Sequence, residues 1–195
     1  MSRIRSFVAV NFPVPVVRRI ADEVGAMKQR VVDAGCQVAW VPTANLHLTL
    51  KFLGMIEAAS VEAIIGRLGR ELAGRAPFEI EARGLGAFPN LEQPRVLWAG
   101  VTPSPKLAAL QKDVDEWMAD LGFPREERAF HPHLTIGRVK DPGPAPAQWL
   151  PALIAEREAL VFGVGRATEV VVYESRTLGA ATEYRALGRA ALAGR

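Results

Sequence analysis

The stretch His47-Leu48-Thr49-Leu50-Lys51-Phe52-Leu53-Gly54 is echoed 86 residues on (47 to 133) by His133-Leu134-Thr135-Ile136-Gly137-Arg138. Both alternate polar and apolar side chains, the period of a β-strand. His47, Thr49 and Lys51 are therefore expected on one face, and Leu48, Leu50 and Phe52 on the other. The second copy sets His133 and Thr135 against Leu134 and Ile136 in the same way. The apolar faces must be buried, which leaves each His-x-Thr face solvated or lining a cleft. One such tripeptide is an ordinary surface pair. Two of them, with matching flanks and two of the chain's three histidines, indicate an internal duplication.

Outward from these stretches, each copy follows a strand-and-helix block. Residues 5–12 are a predicted strand, and from Pro15 the residues Val16, Val17, Ile20, Val24, Met27 and Val31 recur at helical spacing. Strands are expected at 37–41 and at 46–53, the latter ended by Gly54, and then a helix capped by Ser60. Strands at 78–83 and 95–101 flank a turn-rich stretch containing Gly84, Gly86, Pro89, Asn90 and Pro94. Ser104 and Pro105 start a third helix, which Gly122 stops. A strand at 133–139, a Pro/Gly loop, a short helix around 149–156 and strands near 160–164, 169–174 and 184–187 complete the chain. Strands and helices alternate without a strict βαβ rhythm, which favours α+β.

Composition narrows the class. With 195 residues, 49% apolar and 23% charged, the chain can bury a core without staples. The single Cys36 excludes an intrachain disulfide and reads as a small buried hydrophobe in a reducing compartment. The longest uncharged run, 34–50, is 17 residues and contains Gln37, Pro42, Asn45 and His47, so no membrane span is expected. Asn11, Pro13 and Pro15 interrupt the apolar N-terminal stretch, which reads as a first strand of a cytoplasmic protein and not as a signal peptide. Nineteen arginines against five lysines suit phosphate recognition, but GC-rich coding gives the same bias, and a net charge of +3 does not establish a nucleic-acid partner.

Charge around the motifs points to the chemistry. Between residues 34 and 56 the only charged residue is Lys51, and between 128 and 140 the only ones are Arg128, Arg138 and Lys140. Neither motif has a neighbouring carboxylate to orient its histidine or complete a metal shell, although Glu57 or Glu174 could supply one from a distance. No metal and no cofactor are expected, and His131, beside Pro132, reads as a rim residue. What remains suits an anion between two imidazoles and two hydroxyls. One neutral imidazole takes a proton from attacking water, a cationic one protonates the departing oxygen, and the threonines donate to the nonbridging oxygens.

These residues resemble the two-histidine phosphoesterase superfamily, specifically its RNA 2',3'-cyclic phosphodiesterases, also called 2'-5' RNA ligases. The resemblance covers nearly the whole chain. Beside the two motifs it includes Phe7-Val8-Ala9-Val10, Trp40-Val41, Pro94-Arg95-Val96-Leu97-Trp98, Phe130, and the closing Tyr173-Glu174-Ser175-Arg176 followed by Tyr184. The tail from Gly179 to Tyr184 departs by lacking a glycine just before the tyrosine.

The resemblance implies a bilobal α+β domain over 1–195, with pseudo-two-fold lobes, each an antiparallel sheet with outer helices, and a site in the cleft. It implies hydrolysis of 2',3'-cyclic phosphate ends of RNA or nucleosides to 2'-phosphates, with His47 as proton donor and His133 as proton acceptor beside Thr49 and Thr135. The two motifs are near copies, so the residues alone do not order these roles. Arg138 would bind the phosphate, which requires a bulge at Gly137 to re-aim it. Phe12 and Trp40 are candidates for stacking a nucleobase. The expected partner is RNA with a cyclic end, or a cyclic nucleotide, met by a monomer. Two other readings stay open. One is a related phosphoesterase on small cyclic nucleotides or 2',5'-oligonucleotides; the other is a non-catalytic RNA- or nucleotide-binding module.

Overall fold

In the computed structural model, residues 2–178 and 181–195 are described; Gly179 and Ala180 of the tail lie outside them. The order is β1 (Arg3–Val10), α1 (Val14–Asp33), β2 (Gln37–Trp40), a 3-10 turn (Thr43–Asn45), β3 (Leu48–Glu57), a second 3-10 turn (Ala58–Ser60), α2 (Val61–Leu72), β4 (Phe78–Phe88) and β5 (Val96–Val101). Then come α3 (Pro105–Asp120), β6 (His133–Asp141), α4 (Pro146–Ala155), β7 (Val161–Ala167), β8 (Glu169–Leu178) and β9 (Ala181–Ala191).

The fold is α+β, and its sheet is built symmetrically about a central pair. Strands follow the order β7-β4-β5-β6-β3-β1-β8-β9, with β2 also on β6. Thus β5, β4 and β7 extend from β6 as β1, β8 and β9 extend from β3, which is the expected pseudo-two-fold. The two antiparallel lobes, as expected, meet edge to edge and so run on as one sheet. The join is the antiparallel pair Leu48 and Leu134, both fully buried.

The helices cover the apolar face and cross between the halves. α1, through Val16, Val17, Ile20, Val24, Met27 and Val31, lies against β7 and β2 in the β6 half. α3 buries Leu107, Leu110, Val114 and Met118 and packs on β3. Ser104 caps α3 by accepting from the Leu107 N–H at 3.2 Å, as expected. Ser60 makes no such bond: it closes the 3-10 turn that leads into α2.

Several strands run through glycines read as stops. β3 continues past Gly54, whose φ is +73°, and β4 continues through Gly84 and Gly86 to Phe88. At Gly86 a Cβ would come 2.2 Å from the Trp98 ring, so this glycine makes room for an indole lying flat on the sheet.

Two bulges at equivalent positions break strict alternation. Ala9 pairs with Thr49 but Val8 with Lys51, so the ladder skips Leu50; Trp98 pairs with Thr135 but Leu97 with Gly137, so it skips Ile136. The irregularity expected at Gly137 therefore lies one residue earlier. The expected faces of Lys51 and Phe52 are reversed: Lys51 is 4% exposed on the helix side and Phe52 is 61% exposed.

Candidate active site

β3 and β6 overlap only around Leu48 and Leu134. Continuing that antiparallel register sets His47 opposite Thr135 and Thr49 opposite His133, on the face away from the buried leucines. Histidines and threonines thus occupy alternate corners of a square. The two imidazoles are near enough that the charge of His133 acts on His47.

Both histidines are held alike. His47 Nδ1 lies 2.7 Å from the Asn45 carbonyl oxygen, and His133 Nδ1 lies 2.7 Å from that of His131. A carbonyl only accepts, so each Nδ1 carries the proton and each Nε2 is left for substrate. The Asn45 side chain in turn donates to the Thr182 carbonyl at 2.7 Å, tying this lead-in to β9. The contribution of His131 is thus a backbone oxygen, which no residue-type motif reveals.

Both rings are poised neutral. Burial pushes His47 down to about 4, against the bond to Asn45, with His133 and Arg138 pushing the same way as burial. His133 is also lowered, first by burial and then by the charges of His131 and Arg138, with its bond to the His131 carbonyl opposing. Arg138 is exposed, two residues past the bulge at Ile136, and its charge lowers both rings.

The surroundings of the two histidines differ. Phe7 stacks on His47 at 4.6 Å between centroids, and Tyr184 meets the same ring edge-on at 5.0 Å. His133 has the edge of Phe88 at 4.9 Å and Trp98 at 6.4 Å. Beside it opens a hollow of about 410 Å³ bordered by Phe88, Trp98, Val101, His131 and Pro132.

Phe12 and Trp40 are not among these rings. Phe12 is 6% exposed and packs near Pro13 and Gly165 toward β7. Trp40 is half-buried between Gly137 and helix α1, on the far side of the sheet. Neither offers a face to the cleft, so the expectation of base stacking is corrected for both. The rings that lie beside His133 are Phe88 and Trp98. Cys36 is buried, and burial pushes its thiol up, as suits an inert packing residue. Among the described residues, no group of three or more His, Cys, Asp or Glu side chains gathers into a metal-binding cluster, and no helix is long and apolar enough to cross a membrane.

A symmetric sheet carrying two inward His-x-Thr motifs defines a two-histidine phosphoesterase. Residues 16–176 match the 2'-5' RNA ligase superfamily, and the chain belongs to that family. It is 36% identical over 182 residues to a protein of Methanothermobacter thermautotrophicus named RNA 2',3'-cyclic phosphodiesterase, covering 93% of this chain and 95% of that one. An Aquifex aeolicus protein of the same name is 36% identical over 142 residues, or 72% of this chain and 73% of its own. Among solved structures, TT0787 of Thermus thermophilus superposes with a TM-score of 0.78 at 25% identity, covering 98% of this chain and 99% of that one. E. coli LigT complexed with 3'-AMP gives 0.75 at 25% identity, with the same coverage.

Proposed function

We propose that this protein hydrolyses the 2',3'-cyclic phosphate end of RNA, or of a nucleoside, to a 2'-phosphate. The observation that carries the reading is the pair of imidazoles on neighbouring strands, each with Nδ1–H bound to a backbone carbonyl and Nε2 left free for substrate. The curated relatives named RNA 2',3'-cyclic phosphodiesterase support it.

In the reaction, neutral His133 takes a proton from water through Nε2 as the water oxygen attacks phosphorus. The bond to O3' breaks on the opposite side, and O3' takes the proton from Nε2 of His47, protonated at both nitrogens. The assignment of donor and acceptor follows the resemblance. Thr49 and Thr135 donate to the nonbridging oxygens and Arg138 offsets their charge. The phosphodiester anion also favours the imidazolium that burial disfavours, so substrate itself loads the acid. With a 5'-hydroxyl replacing water and each histidine in the same role, the same site joins ends through a 2'-5' bond, and the roles exchange only in the reverse cleavage of that bond.

The test is incubation with 2',3'-cyclic AMP in EDTA, with the product isomer read by chromatography. Exclusive 2'-AMP is expected. No turnover of this nucleotide or of a short RNA with a cyclic end would overturn the reading, and activity lost in EDTA and restored by one metal would overturn the metal-free mechanism. A monomer in the cytoplasm completes the proposal; sedimentation of the purified chain checks the first part.

A further inference from the structure

The bulge at Leu50 turns Lys51 away from the cleft and into the protein, where its side chain is 3% exposed. Its ammonium donates to Asp115 Oδ1 and to the Pro124 carbonyl, each at 2.5 Å. Asp115, on α3, also accepts from the Glu126 N–H at 3.1 Å. One buried ion pair therefore holds residues 124–126, the start of the segment between α3 and His133, against β3. A buried ammonium is stable only when its partners are in place, so Lys51 ties that segment down strongly.

Comparison of the two halves shows what the tie replaces. The lead-in to His47 is held by backbone: β2 pairs with β6, and the Val41 N–H donates to the Ile136 carbonyl, the carbonyl of the bulge, at 2.9 Å. The lead-in to His133 is not a strand. There the equivalent bulge carbonyl, Leu50 O, is met by the Gln111 side chain at 3.5 Å. Lys51 corresponds in register to Gly137, over which Trp40 of β2 lies. The lysine stands where the other half has a strand and its indole.

We propose that Lys51, through Asp115, is a positioning residue for His133. It fixes residues 124–126 at the far end of a segment whose near end is held by the Val101 N–H on the Pro132 carbonyl at 3.0 Å, and through that segment it sets the His131 carbonyl that holds His133 Nδ1, without touching substrate. The inference rests on the function proposed above only for its kinetic consequence.

The experiment compares Lys51→Met, and the uncharged pair Lys51→Met/Asp115→Leu, with the wild type. The kinetics use 2',3'-cyclic AMP, and the histidine tautomers are read by nitrogen-15 NMR without substrate. The double variant removes both charges, so it keeps the test open if Lys51→Met does not fold. Expected are a fall in kcat of up to about 100-fold with KM nearly unchanged, and a His133 signal that leaves the Nδ1–H form while that of His47 keeps it. A folded variant with wild-type kcat and an unchanged His133 tautomer would overturn the proposal, as would equal disturbance of both histidines, which marks general loosening. Wild-type protein that shows the paired tautomers but turns over no cyclic phosphate would count against the proposed function and leave the positioning readout intact.

Discussion

Leu48 and Leu134 are cross-strand partners, and because each is flanked by a histidine and a threonine, this one apolar pair sets the geometry of the site. Both are fully buried. Shortening Leu134 to alanine is expected to cost about 2–5 kcal/mol in stability, read by denaturant titration.

In the proposed reaction, removing either imidazole removes one proton transfer. His47→Ala and His133→Ala are each expected to lower kcat about 100- to 10,000-fold, while 2'-AMP, as product ligand, still binds in calorimetry. Loss of binding in step with turnover would contradict this.

The two roles separate by leaving group. A phosphodiester that expels an acidic phenol needs no protonation of the departing oxygen. His47→Ala should regain most of its lost rate on such a substrate and His133→Ala should not. The reverse pattern would exchange donor and acceptor.

Acidity carries a signed expectation. Both histidines lie below their ordinary 6.5, so kcat/KM should be bell-shaped with its maximum on the acid side of that value. Arg138 contributes to lowering both, so Arg138→Gln should shift the bell upward in pH as well as raise KM.

The same burial ties stability to pH. With His47 near 4 when folded and 6.5 when unfolded, the unfolded chain holds the extra proton between these values. Stability is therefore intact above 6.5 and lost as pH falls toward 4, by about 3 kcal/mol from this ring. His47→Gln should flatten that part of a plot of unfolding free energy against pH.

Aromatic residues divide by face. Trp98→Leu is expected to raise KM for 2',3'-cyclic AMP about tenfold, the loss of one stacking surface. Trp40→Leu should leave KM alone and lower the melting temperature.

The two His-x-Thr pairs of the candidate site were legible in the sequence because alternation over three residues is all that their shared face needs. Beyond Leu50 and Ile136 that rule fails, since each bulge inserts one residue and reverses the faces that follow; Lys51, Phe52 and Arg138 all lie past it. Gly84 and Gly86 look like turn residues, yet they sit within β4, and Gly86 is small because an indole lies over it. Phe12 and Trp40 carry the ring chemistry that stacking requires, and only three-dimensional packing assigns them to the other side. His131 acts through its main chain, which every residue type possesses.

The crossing of α1 and α3 bears on how such a chain can be divided. Each histidine-bearing half is roofed by a helix that the other half encodes, so the halves are interlocked and not merely joined. Cut in the loop between β4 and β5, the two fragments would be poor folders alone and good complements together, each returning a helix that packs on strands of the other half. The molecule is in this sense a dimer that has exchanged arms with itself.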